Sequence, residues 1–308
     1  MGRHTEPDRQ MRRNRQEFQG MHIGVVFPQT EIGNDPVVIR DYAQTVEGLG
    51  YRHILAYDHV LSADISGRPA WTGAYSLADP FHEVFVLFGY LAAVTTQIEL
   101  VTGVLILPQR QTALVAKQAA EVDLLSGGRL RLGIGAGWNE VEYDGLDKQF
   151  SNRGRRSEEQ IALLRELWTH EAITFDGEWE QIDRAGITPL PVQRPIPIWI
   201  GGYADATLSR CARLADGWFP WREPNDAMKA MLEALRAYTE AAGRDFSDIG
   251  IEPRLDVGKG TPDTWASFVE AWQALGATHL CLGTMNSGFA SPSDHLAALE
   301  RAAKELGI

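Results

Sequence analysis

IELVTGVLILPQRQTALVAKQAAEVDLLSGGRLRLGIGAGW, residues 98–138, holds the fold in miniature. It opens on one apolar run, IELVTGVLILP (98–108), and closes on another, RLRLGIGAGW (129–138). Between them, residues 112–125 read as a helix that stops at the Ser126-Gly127-Gly128 turn. Two strands joined through a helix run parallel, since a hairpin has no room for such a crossover. Strands covered on both faces also read as near-continuous apolar runs, as these two do.

The same unit recurs on either side. HIGVVFP (22–28), RHILAYDH (52–59), IPIWIGG (196–202), DGWFPW (216–221), IGIEPRLDV (249–257) and THLCLGT (278–284) read as the other strands. The first helix opens at Pro36, carries Val38, Tyr42, Val46 and Leu49 on one face, and ends at Gly50. Further helices are expected over 80–95, 154–169, 204–214, 226–242, 263–275 and 293–306. Residues 171–195, with ITFDGEWEQI (173–182) and a Pro-rich stretch, break the rhythm and read as a hairpin outside the main body. Eight strand-then-helix units with short connections predict an α/β fold, a closed (β/α)8 TIM barrel with insertion segments. An open dinucleotide-binding sheet should carry G-x-G-x-x-G after its first strand. Here Pro28-Gln29-Thr30 follows that strand, and Trp138 stands where the Gly-rich stretch 133–137 would need its last Gly.

Composition narrows the function classes. A net charge of −12 disfavours nucleic-acid binding, which needs clustered Lys and Arg. It leaves a phosphorylated small molecule open, because one nest of N–H groups or one cation suffices for that. Cys211 and Cys281 have no CxxC or His-spaced partner, so buried thiols in a reducing, cytoplasmic compartment are expected. Residues 1–20 carry five Arg against three acids and few large apolar groups. They are expected to form a disordered tail, with a single barrel domain over 21–308. No apolar run approaches the ~18 residues of a membrane span.

Barrel enzymes place their chemistry at the C-terminal strand ends. That rule selects Pro28, Gln29, Asp58, His59, Thr102 to Val104, Gly135 to Glu140, Gly201, Gly202, Trp218 to Trp221 and Thr284. The set holds one histidine and no His/Asp/Glu cluster at ligand spacing, so no metal is expected. Ser62 and Ser66 lie near His59 but without a nucleophile-elbow context. Gly103 interrupts an otherwise branched strand, a sign of a bulge or of close ligand approach. Gly202 precedes the helix YADATLSRCA, and a helix N-terminus behind Gly suits a phosphate. The same glycines would equally serve to close tight turns.

The segments AYDHV (56–60), TGVLILPQRQTALVAKQAAEVDLLSGGRLRLGIGAGWNEVEY (102–143), SNRGRRSEEQIALLRELW (151–168) and PIPIWIGGYADATLSRCARLADGWFPW (195–221) resemble the bacterial luciferase-like monooxygenase family. Within it they are most similar to the branch that uses the deazaflavin coenzyme F420. The resemblance covers residues 21–306. It implies a flavin or deazaflavin ring at the barrel mouth, backed by a third-strand bulge, here Thr102-Gly103-Val104, with Gly103–Val104 the candidate for a cis peptide. Asp58 and His59 would stand beside the ring. Gly137, Trp138 and Asn139 would follow the fourth strand, and Gly201, Gly202, Ala206 and Thr207 would hold the phosphate. Arg153 or Arg156 would supply a cation there, or simply begin a solvated helix.

On that resemblance a hydride moves at C5 of the deazaflavin, and the protein positions and manages protons. His59 is the expected proton carrier, because imidazole titrates near working pH. Asp58 would orient it or bond the ring edge, and Glu140 would serve as an acid or cap the next turn. Trp71, Tyr75, Trp138, Trp218 and Trp221 form an aromatic set, with Trp71, Tyr75 and Trp221 expected against a hydrophobic small-molecule substrate. An FMN-dependent monooxygenase, needing O2 and a separate flavin reductase, is the alternative cofactor reading. A non-catalytic flavin-binding barrel is the alternative class, and the presence of Asp58 and His59 counts against it. A homodimer is left open.

Overall fold

Each crossover helix buries one apolar face on the strand pair it joins, and eight repeats bend the sheet until its edges meet. In the computed structural model residues 20–308 are described; the expected tail lies outside them apart from Gly20. The strands are β1 (His22–Val26), β2 (His53–Ala56), β3 (Glu99–Thr102), β4 (Leu105–Ile106), β5 (Leu130–Gly135), β6 (Ile173–Asp176), β7 (Gln181–Ala185), β8 (Ile198–Gly201), β9 (Gly217–Phe219), β10 (Gly250–Ile251), β11 (Arg254–Asp256) and β12 (His279–Gly283). The helices are α1 (Pro36–Gly48), α2 (Val84–Val94), α3 (Thr112–Ser126), α4 (Glu140–Gly145), α5 (Arg153–Thr169), α6 (Asp205–Leu214), α7 (Asp226–Ala241), α8 (Pro262–Ala274) and α9 (Pro292–Leu306).

All barrel pairings are parallel, and the expected hairpin β6–β7 pairs antiparallel by itself. Two barrel positions are split. β3 pairs with β2 and β5, whereas β4, after the break at Gly103-Val104, pairs among the described residues with β5 alone. The seventh position breaks at Glu252-Pro253: β10 pairs with β9 and β11 pairs with β12, and this joins the two ends of the sheet. A Pro lacks the N–H that an unbroken ladder requires.

Helix starts follow local chemistry. Asp35 caps α1 by accepting from the Val37 N–H, and Pro occupies the first turn of α1, α8 and α9. The helix expected over 80–95 begins only at Val84, because Glu83 caps it through the Val86 N–H and Pro80 disfavours helical backbone at Asp79, which closes a turn from Ser76. No helix among the described residues is long and apolar enough to cross a membrane.

Inside the barrel, Val26, Leu55, Val101, Trp199, Phe219 and Cys281 form a packed plug distinct from the layer between strands and helices. Below it, at the N-terminal strand ends, lies a buried polar network. Glu252 meets His53 Nε2 at 2.9 Å and Arg131 Nη1, and Arg131 Nη2 reaches Glu99 at 2.8 Å. The Arg131 guanidinium lies 4.3 Å from the centre of the Trp199 ring. Burial alone would raise the Glu252 carboxyl, but Arg131 and His53 beside it hold it well below the carboxylate range. His279, also close by, is pushed down to about 3 by burial and by the Arg131 charge.

Candidate active site

The C-terminal strand ends enclose a cavity of about 570 Å³. Its floor is set by the third-strand break, where the Gly103–Val104 peptide is cis, as the resemblance implies. The Val104 side chain turns over the neighbouring strands. A Cβ on Gly135 would come within 2.5 Å of Val104 and one on Gly201 within 3.0 Å, so both glycines make room for the bulge itself. Thr102, fully buried, donates its hydroxyl to Gly133 O at 2.6 Å and ties β3 to β5 beneath the cavity.

Asp58 and His59 follow β2 and both line the cavity, yet they have different surroundings. Asp58 receives Arg110 Nη2 at 2.6 Å and the Ile106 N–H at 3.2 Å, and Arg110 continues to Glu83. Burial raises the Asp58 carboxyl against the opposing Arg110 charge. Its observed bonds anchor β4, and none reaches His59. His59 sits in an aromatic box of Phe81, Tyr75 and Trp138, with ring centres 4.8, 5.4 and 5.9 Å away. Its Nδ1 lies 3.3 Å from Glu142 Oε2.

Glu142 is the carboxylate that sequence reasoning missed. It is buried in α4 and also accepts the N–H groups of Val60 and Leu61 and the side-chain amide of Gln109. Burial would raise it, but the His59 and backbone bonds prevail and lower it, so it stays ionised. An ionised acceptor at Nδ1 fixes the tautomer and leaves Nε2 as the ring's second polar atom. Glu140, the expected acid, lies exposed at the first position of α4. Asn139 is buried ahead of it, with its Oδ1 unpartnered.

Across the cavity, Gly201, Gly202, Tyr203, Ala204 and Thr207 wrap the start of α6. Gly202 has φ +131°, and a Cβ there would sit 3.1 Å from Thr207 Cγ2. Trp218 Nε1 donates to Gly202 O at 2.9 Å and fixes the turn from β9. Arg153 lines the same cavity, its guanidinium stacked 3.6 Å from the centre of the Phe150 ring. Free N–H groups at a helix start, a glycine cradle and one cation fit a phosphate. Ala206 is exposed and outside the lining, and Arg156 is engaged with Pro108 O and Glu180.

Gly137, Trp138, Tyr75 and Trp221 also line the cavity, whereas Trp71 stands behind Trp138, 5.7 Å between ring centres. Sequence reasoning missed Tyr57 and Arg254, which line the cavity from just past β2 and from the seventh strand. It also did not foresee that His53, Glu252 and Cys281 bring three donor atoms within 4.8 Å of one another at the barrel base. Arg131 on the other oxygen of the same carboxylate already supplies the positive charge that balances it, so the cluster reads as an ion-pair network.

A family model described as luciferase-like monooxygenase matches residues 21–257. An uncharacterized protein of Mycobacterium tuberculosis is 37% identical over 224 residues, 71% of this chain and 77% of its own. The FMNH2-dependent dimethylsulfone monooxygenase of Pseudomonas fluorescens is 30% identical over 235 residues, 75% of this chain and 60% of its own. Among solved structures, an F420-dependent secondary alcohol dehydrogenase superposes with a TM-score of 0.72 at 16% identity, covering 94% of this chain and 99% of that one.

Proposed function

Since the chain belongs to the luciferase-like monooxygenase family, we propose that it is an oxidoreductase using coenzyme F420 on an organic substrate with a hydrophobic or ring-bearing part. The observation that carries this reading is the pairing of His59 with Glu142 on the wall of a cavity that also holds a phosphate cradle. Gly202, Thr207 and Arg153 would receive the cofactor phosphate, and the Val104 bulge with Gly137 would back its ring. When bound, the deazaflavin supplies the hydride chemistry. Glu142 holds the His59 ring and its tautomer. His59 then gives or takes a proton at Nε2 as the substrate's charge changes. The aromatic box of Tyr75, Phe81 and Trp138 keeps water from that nitrogen and gives the substrate an apolar surface.

Titration of the purified protein with F420 and with FMN, read by quenching of tryptophan fluorescence, tests the cofactor. Trp138 and Trp221 stand in the cavity wall and report its filling. F420 is expected to bind tighter. The relationship to an FMNH2-dependent monooxygenase favours a second reading, in which reduced FMN and O2 take its place and a separate reductase supplies the flavin. Tighter FMN binding, with O2 uptake when a flavin reductase is added, would replace the F420 reading by that one.

A further inference from the structure

A second cavity, of about 660 Å³, adjoins the first and shares Trp221 and Arg254 with it. Arg254 therefore forms part of the partition between them. It reaches from β11 to the end of β2, where Nη1 donates to the Tyr57 hydroxyl at 2.7 Å. Its Nε lies 3.4 Å from Asp256, and its guanidinium carbon 5.6 Å from the centre of the Trp221 ring. Among the described residues, Nη2 meets no acceptor. The side chain is 30% exposed and lines both cavities.

The charges around the first cavity divide by place. Asp58 is taken up by Arg110, and Arg153 stands beside the phosphate cradle. Arg254 is the other lining cation, two barrel positions round from that cradle and next to Tyr57 and Trp221. In the second cavity Arg222, Arg254 and Lys259 face Glu223, Asp256 and Asp263. Arg222 stacks 3.9 Å over Tyr203. With Nη1 on the Tyr57 hydroxyl, Nε near Asp256 and Nη2 without an acceptor among the described residues, the Arg254 guanidinium is held in place to give a carboxylate a charge-assisted hydrogen bond.

Resting on the reading of the first cavity as the cofactor and reaction site, we infer that the substrate is an amphiphile with a carboxylate that Arg254 receives. The apolar part then lies against Tyr57, Tyr75 and Trp221, and any extension passes into the second cavity. Arg254 is a specificity residue in this scheme, and it takes no part in the hydride or proton steps.

Calorimetry with 4-phenylbutyrate and its neutral amide, 4-phenylbutanamide, tests this on the protein with and without bound cofactor. The acid is expected to bind about 10-fold or more tightly than the amide, and rising salt should weaken the acid alone. Arg254→Met should bring the ratio to about one with F420 affinity unchanged, and Arg254→Lys should keep part of it. Equal affinity for acid and amide, binding of neither, or a ratio that survives in Arg254→Met overturns the inference. Loss of F420 affinity in Arg254→Met overturns it too, by giving Arg254 to the acidic tail of the cofactor. Should Arg254→Met not fold, the salt dependence and the lysine variant decide. Failure of F420 to bind counts against the cofactor reading alone, because the acid-to-amide ratio is measured without cofactor as well.

Discussion

His59 has a buried carboxylate on one nitrogen and three aromatic rings around it, an arrangement that suits proton transfer more than simple packing. His59→Ala is expected to lower the single-turnover rate by roughly 10²-fold or more. Cofactor affinity should change far less, because on the proposed reading the cradle and the bulge would hold the cofactor. An unchanged rate removes His59 from the chemistry. The two nearby glutamates provide an internal control. Glu142→Gln should lower turnover, since the neutral amide can turn either its oxygen or its NH2 group toward Nδ1, and it should move the pH profile. Glu140→Gln, on the exposed face of the same helix, should leave both as they are. Equal effects from the two variants would break the assignment of Glu142 as the orienting group.

At the scale of elements, the turn from β8 into α6 carries the phosphate argument. Gly202 at φ +131° has the Thr207 side chain 3.1 Å from where a Cβ would be, so Gly202→Val strains the backbone and crowds the cradle together. F420 affinity should fall by about 10-fold or more, a larger effect than the one on the melting temperature. Trp218→Phe removes the indole N–H that fixes Gly202 O, and should weaken binding in the same direction by a smaller factor. Unaltered affinity in a folded Gly202→Val variant places the phosphate elsewhere. The third-strand break teaches a related lesson. Gly135 and Gly201 face Val104, so enlarging either would shift the bulge before it touched any ligand.

The whole barrel depends on its polar base. Removing Arg131 would leave Glu252 buried with half its partners, and Arg131→Met is expected to cost about 3–5 kcal/mol in denaturant unfolding. A loss under about 1 kcal/mol would mean that the network can relax around the gap. The base also sets an acid dependence. With His279 held at about 3, the unfolded chain binds more protons than the folded one from there up to the ordinary imidazole value near 6.5. Stability therefore rises with pH across that window and falls on acidification. Glu252 acts in the same direction, but only below the ordinary carboxylate value of 4.5. His279→Gln should flatten the melting-temperature profile mainly between about 4.5 and 6.5. A profile as steep as that of the unaltered protein rules out this source.

Local pattern carried much of this protein. Most strand and helix positions, the excursion at 173–185, the break at Gly103-Val104 and the glycine turn before α6 follow from neighbours within a few residues, where periodicity and turn chemistry act. The choice of Glu142 over Glu140 was out of reach, since residues two apart on a helix face opposite ways and no helix was expected there. The pairs Tyr57–Arg254 and His53–Glu252 span 197 and 199 residues. No local period encodes such partners. They meet only because the barrel closes, bringing the seventh strand across from the second, and that closure is a property of the tertiary structure.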